Sequence, residues 1–196
     1  MSRTTQTWIA LLRGVNVGGK NKLPMKELAA LLETLGLSDV RTYIQSGNAV
    51  FQGPRGPAPA LAAAIASAIE DTFDFRPGVI VIGKEEFAKA AASNPFPEAA
   101  QEDGKTLHLF FLGEAPPKGG SKKKSAAKTL DAACLDAVTL PSERWRVAGA
   151  VFYLHAPEGF GNSKLAAKAE RCLGVPATAR NWRTVCELLK LADDSH

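Results

Sequence analysis

The order of periodic segments restricts this chain more than any single motif does: strand, helix, strand, strand, helix, strand, read once in the first half and again in the second. Trp8 to Arg13 is a dense apolar run of strand length. Pro24 stands at a first helical position, and Met25, Leu28, Ala29, Leu32 and Leu35 follow at helical spacing until Gly36 stops the helix. Val40 to Gln45 and Ala49 to Gln52 flank Ser46-Gly47-Asn48, whose Gly and Asn tolerate positive φ, so the pair reads as a hairpin. After the Pro- and Gly-rich loop from Gly53 to Pro59, Ala60 to Phe73 carries one apolar stripe, and Val79 to Ile82 makes the fourth strand.

A short helix, Lys84 to Ala92, and the Asn94-Pro95-Phe96-Pro97 break lead into the repeat. Thr106 to Leu112 reads as a strand and Ser121 to Cys134 as a helix. Arg144 to Val147 and Ala150 to His155 pair around Gly149, Asn162 to Leu173 is helical, and Val175 to Ala179 is a short strand. Asn181 to Leu191 adds a terminal helix. A length of 196 residues accommodates one large domain or two small ones, and the repeat decides for two. The expected fold class is α+β: two tandem ferredoxin-like (βαββαβ) subdomains with antiparallel sheets, plus a C-terminal helix. The first subdomain spans residues 1–83, a connecting helix and linker 84–103, and the second subdomain with the C-terminal helix 104–196.

Composition excludes several classes. With 45% hydrophobic and 22% charged residues the chain buries a real core rather than staying disordered. Its longest apolar stretches, Trp8 to Leu12 and Leu107 to Leu112, fall far short of the roughly 20 residues a bilayer demands. Met1 to Thr7 is polar and precedes no secretory h-region, so the expectation is a cytoplasmic protein with no membrane association. Cys134, Cys172 and Cys186 are odd in number and widely spaced, which reads as three reduced, mostly buried thiols. Oligomeric state is not legible.

The topology locates the chemistry. With right-handed crossovers and a sheet ordered 4-1-3-2, the loop after the first strand and the central hairpin emerge at one end of a subdomain. Residues 13–22 should therefore lie near 45–48, and in the second subdomain 159–164 should lie near 178–181.

Leu12-Arg13-Gly14-Val15-Asn16-Val17-Gly18-Gly19-Lys20-Asn21-Lys22 leaves a strand carrying three cations and no acid. Gly14, Gly18 and Gly19 let backbone amides turn inward into a nest, and Arg13 and Lys20 add charge-assisted bonds to phosphate or carboxylate oxygens. Asn16 and the hairpin residues Gln45, Ser46 and Asn48 supply neutral donors. Gly14 to Asn21 matches G-x-x-x-x-G-K, but Asn21 stands where a magnesium-binding Ser or Thr belongs and Pro24 starts the helix too late for a P-loop. The plain alternative is a turn with solvated lysines.

A second candidate joins Gly159-Phe160-Gly161-Asn162-Ser163-Lys164 to Thr178-Ala179-Arg180-Asn181-Trp182. Here Ser163, Lys164, Arg180 and Asn181 surround a helix start preceded by glycines, which favours anions; helix capping by Asn162 or Ser163, and by Asn181, is the structural alternative. A third, Lys118 to Lys128, is cationic without an acid, as a solvated face or a phosphate patch. Catalytic residues are not identifiable, since His108 and His155 lie in strands, His196 ends the chain, and none has a Cys, Ser or acid partner at a recognisable spacing. No metal-ligand set and no cofactor motif is visible. Trp8, Phe51, Phe110 and Tyr153 occupy the strands from which an RRM reads bases, yet none stands in that module's sequence context, so they read as core.

Residues 8–21, Arg41 to Phe51 and Thr178-Ala179-Arg180-Asn181-Trp182 resemble the signatures of the bacterial domain of unknown function 1697 family. The resemblance spans nearly the whole chain and implies two ferredoxin-like subdomains. It implies no activity and no catalytic residues, and the lysine-rich 119–124 stretch departs from it. The function expected from the residues is binding of a phosphate-bearing ligand, a nucleotide or nucleic acid. The alternatives are a metal-independent enzyme acting on a small phosphorylated or carboxylated metabolite, or an oligomerising interaction module.

Overall fold

The structure, a computed structural model, describes residues 5–113 and 130–194. It is a mixed α+β protein whose described residues form two four-stranded antiparallel sheets. The chain divides into two units, residues 1–92 with 186–196, and residues 93–185.

The first unit runs β1 (Thr5–Arg13), α1 (Met25–Thr34), β2 (Ser38–Tyr43), β3 (Asn48–Pro54), α2 (Ala58–Phe73), β4 (Gly78–Gly83) and α3 (Lys84–Ala92). Its sheet is ordered β2-β3-β1-β4, so β1 is central and pairs with both β3 and β4. Alternation along β1 sends Trp8, Ala10 and Leu12 into a core with Leu28 and Leu32 of α1, Ile65 and Ile69 of α2, and Phe51 of β3. Ile9 and Leu11, on the other face, are also fully buried, which is why the run reads apolar at every position. Gly36, at φ 77, ends α1 in the left-handed turn its lack of a Cβ permits.

The second unit runs α4 (Pro97–Glu102), β5 (Leu107–Leu112), α5 (Ala132–Asp136), β6 (Arg144–Ala148), β7 (Val151–His155), a 3-10 turn (Phe160–Asn162), α6 (Lys164–Leu173) and β8 (Ala177–Asn181). The sheet is ordered β6-β7-β5-β8. Phe110, Leu112, Phe152 and Leu154 pack with Leu165, Ala169, Cys172 and Leu173 of α6. A last helix, α7 (Trp182–Asp193), starts in this unit and ends in the first.

Four details differ from the sequence reading. β2 begins and ends earlier than Val40 to Gln45, leaving 44–47 as the turn. Pro97, read as part of a break, opens the six-residue helix α4 instead, in keeping with proline's tolerance of a helix's first turn. β8 runs from Ala177 to Asn181 and so sits two residues later than the expected Val175 to Ala179, taking in Arg180 and Asn181. Finally, Cys134 and Cys172 are not separate thiols: α5 packs on α6, their Cα atoms lie 5.5 Å apart, and the two are joined as a disulfide, with Cys186 free. Most of the helix read over Ser121 to Cys134, and the lysines from Lys118 to Lys128, lie outside the described residues.

Candidate functional site

In the first unit, the loop after β1 and the β2–β3 turn meet, as the strand order requires. Asn16 is the brace. Its Nδ2 donates to the carbonyls of Leu23 and Gln45, both at 2.8 Å, and its Oδ1 accepts from the Leu23 amide at 2.8 Å. These bonds use three of the four positions the amide offers, so Asn16 holds the loop's shape rather than reaching outward. The Leu12 amide donates to the Gly47 carbonyl at 2.8 Å. At Gly47, φ is 74 and a Cβ would stand 2.7 Å from both Leu12 and Val15, so only glycine allows the two segments to approach this closely.

Within the loop, Val17-Gly18-Gly19-Lys20 closes a two-residue turn: the Lys20 amide donates to the Val17 carbonyl at 3.1 Å, with φ 60 at Gly18 and 74 at Gly19. Positive φ at both central positions is the geometry that selects Gly-Gly. Asn21 closes the base of the loop by donating to the Gly14 carbonyl at 2.8 Å. The Gly18 and Gly19 amides are not engaged by any described residue. Around them Arg13, Gly14, Lys20 and Lys22 are exposed, with Arg13 at the end of β1 opposite Gly78 of β4. Gln45 and Ser46 are exposed on the neighbouring turn, whereas Asn48 is fully buried and donates to the Tyr43 carbonyl at 3.1 Å and to Ser46 Oγ at 2.9 Å. The candidate list thus separates into two sets. Arg13, Gly18, Gly19, Lys20, Gln45 and Ser46 face outward, and Asn16 and Asn48 hold them in place.

Sequence reasoning missed two apolar members of this tip: Val17 is 68% exposed and Ile44 is 52% exposed, the latter at φ 46. A β-branched residue in the left-handed region is strained, because its Cβ substituents crowd the backbone. The signal in the sequence was an Ile directly before Gln45-Ser46-Gly47, where a turn favours Gly or Asn.

The second candidate is assembled differently. Ser163 is buried and caps α6, its Oγ accepting from the Ala166 amide at 2.9 Å. Asn181 Oδ1 accepts from the Thr184 amide at 2.9 Å and so caps α7. Arg180 is not a surface clamp: it is 8% exposed in β8 and donates to Thr178 Oγ1 at 3.0 Å and to the Ala179 carbonyl at 2.8 Å. Burial pushes its guanidinium down to about 10, so it stays charged at neutral pH. Lys164 is exposed. The two segments approach through His108, whose backbone register partner is Asn181 and whose ring stacks on Phe160 with centroids 4.0 Å apart. His108 Nδ1 is buried and unbonded, and desolvation pushes the ring down to about 4 against the Thr106 backbone, which favours protonation. Burial first, then Arg144, lowers His155 as well.

A cleft of about 470 Å³ lies at the other end of the first sheet, lined by Thr7, Trp8, Arg55, Lys84, Glu85 and Glu86 among others. Lys84 is paired there with Asp193 at 2.9 Å. Trp8, Phe51, Phe110 and Tyr153 are buried, which removes them as base-stacking surfaces. No cluster of three or more potential metal ligands occurs among the described residues, and no described helix is long and apolar enough to cross a membrane.

Three comparisons bear on this geometry. A family model described as "Protein of unknown function (DUF1697)" matches residues 5–153. Among curated proteins nothing matches. The solved structure of the conserved bacterial protein SP0830 from Streptococcus pneumoniae is similar, with 22% sequence identity, a TM-score of 0.64, and coverage of 96% of this chain and 99% of that one. At that identity the likeness speaks for the fold.

Proposed function

This chain belongs to the DUF1697 family of proteins of unknown function, and from that premise we propose that it binds a phosphate-bearing ligand, a nucleotide or nucleic acid, through the tip of its first unit. The observation that carries the reading is the braced loop: Asn16 joins residues 13–22 to the β2–β3 turn, so the Gly18 and Gly19 amides sit on a fixed frame flanked by Arg13 and Lys20. Unengaged amides in a positive-φ turn form an anion-binding concavity, and a cation beside them adds charge-assisted bonds. Holding the frame beforehand reduces the ordering entropy lost on binding.

Exposure narrows the ligand. Small-molecule sites enclose 70–90% of their ligand as a rule, whereas Arg13, Gly14 and every residue from 17 to 22 are exposed. Such a tip suits a phosphate backbone that runs past it. The cleft beside Trp8 is where a small metabolite would sit, but Arg55 and Lys84 are matched there by Glu85 and Glu86, so it does not select an anion. The second candidate ranks lower because Ser163, Arg180 and Asn181 already have partners within the fold.

We read each unit as ferredoxin-like, a reading supported by the strand orders β2-β3-β1-β4 and β6-β7-β5-β8. We place the protein in the bacterial cytoplasm. Titration with RNA, single-stranded DNA and a nucleotide panel tests the function. Arg13→Ala is expected to weaken binding several-fold regardless of base sequence; no binding to any of the panel, or binding indifferent to Arg13→Ala, would refute it.

A further inference from the structure

We infer that the tip of the first unit takes single-stranded rather than duplex nucleic acid, with Val17 and Ile44 against unpaired bases while Arg13, Lys20 and the Gly18-Gly19 amides hold the phosphates. The inference rests on the phosphate reading above and names the partner of that site. Its basis is that two of the large hydrophobic residues left exposed among the described residues stand on the two segments that Asn16 joins. Val17 follows Asn16, Ile44 precedes Gln45, and Asn16 Nδ2 meets the Gln45 carbonyl at 2.8 Å. Apolar and cationic groups therefore share one surface.

Ile44 is the sharper observation. Its φ of 46 is a conformation that Gly or Asn adopts with much less strain, and at 52% exposure the side chain contributes little to the core in exchange. The turn sets this backbone conformation but not the Ile side chain, and strained positions cluster where a chain contacts its ligand. The charge beside it selects the partner. From Arg13 to Lys26 the chain has four cations and no acid, which complements a polyanion. Along a nucleic acid, apolar surface near the phosphates means base faces. A duplex keeps those faces stacked, and an aliphatic wedge must separate them before it gains contact. In a single strand they are already accessible; single-strand binders combine a cationic track with aromatic platforms under the bases, and here the aliphatic side chains of Val17 and Ile44 stand in that place beside the cations. The sheet aromatics that would serve an RRM are buried, which leaves the tip to make these contacts.

The test compares a mixed-sequence RNA of about 12 nucleotides, within the span such sites cover, with the same sequence as a duplex, using the full chain and its Ile44→Asn and Val17→Ser variants. Single-strand binding is expected to be tighter than duplex binding. Each variant should weaken single-strand binding by about tenfold, the loss of one partly buried aliphatic contact, and leave duplex binding unchanged. Ile44→Asn relieves the backbone and should not lower Tm, so a binding loss there is not a folding loss; Val17→Ser, outside the strained position, reports independently. Equal affinity for the two RNAs, or single-strand affinity unmoved by both variants, overturns the inference while leaving the phosphate reading in place. Failure of both RNAs to bind also overturns the inference, and the single-stranded DNA and nucleotide titrations above then decide the phosphate reading by themselves.

Discussion

His108 is the second residue of β5, with 8% of its surface exposed, its ring stacked on Phe160 and its Nδ1 without a partner. The unfolded chain protonates this residue near 6.5, and the folded one holds it neutral until about 4. Between those values the unfolded state binds more protons, so the stability from a neutral His108 is complete above about 6.5 and declines as pH falls toward 4. The shift caps the loss on the order of 3 kcal/mol. Denaturant titrations of wild type and His108→Leu from pH 7.5 to 4 should show the wild type losing that much more than the variant; parallel curves would mean the ring is protonated freely in the fold. Sequence placed His108 in a strand, but an orphaned nitrogen depends on what surrounds it, which no spacing records. Asn16 and Asn48 teach the same lesson. The sequence reading gave both as neutral donors to a ligand, whereas the carbonyls they meet make them braces of the loop and the turn.

Among elements, those with a clear period were the legible ones. β1, α1 and α2 follow their apolar spacing because each buries a continuous surface, and the strand order then brings residues 13–22 to the β2–β3 turn. α4 escaped because six residues hold too little period and Pro97 reads as a break. The two-residue shift of β8, past Ala179 to Arg180 and Asn181, has a similar origin: polar residues at its end lack an apolar alternation, and the strand extends through pairing with β5. The Cys134–Cys172 link was illegible because 38 residues separate its ends, and only the packing of α5 on α6 joins them. That separation makes it a substantial constraint on the unfolded chain, worth about 3 to 4 kcal/mol in the chain-entropy model. Adding a reductant to purified, oxidised protein should therefore lower Tm by several degrees. Cys172→Ala, which also empties a fully buried core position, should show a low Tm with or without reductant. A wild-type Tm indifferent to reductant would mean the two sulfurs are not bonded in solution.

At the level of the whole molecule, a net charge of +4 says little, because 24 cations and 20 anions are spread over 196 residues. On the proposed reading the local arrangement of charge makes the contact, and the salt dependence of binding measures it. Each phosphate neutralised on a single strand adds about −0.7 to the slope of log K against log salt. Arg13, Lys20 and Lys22 on the tip then give a slope of roughly −2. The lysines at 118, 122, 123, 124 and 128 form a second acid-free basic stretch, and if they joined the same strand the slope would more than double. A local tip therefore predicts a slope near −2 that falls in magnitude by about 0.7 in Arg13→Ala and is unchanged when Lys122, Lys123 and Lys124 are all replaced by Gln. A slope of −4 or steeper that the triple substitution brings back toward −2 would assign half of the recognition to the second basic stretch. Measuring single-strand RNA affinity at four or five salt concentrations for the three proteins separates these cases, because the two basic stretches lie about a hundred residues apart and can be neutralised one at a time.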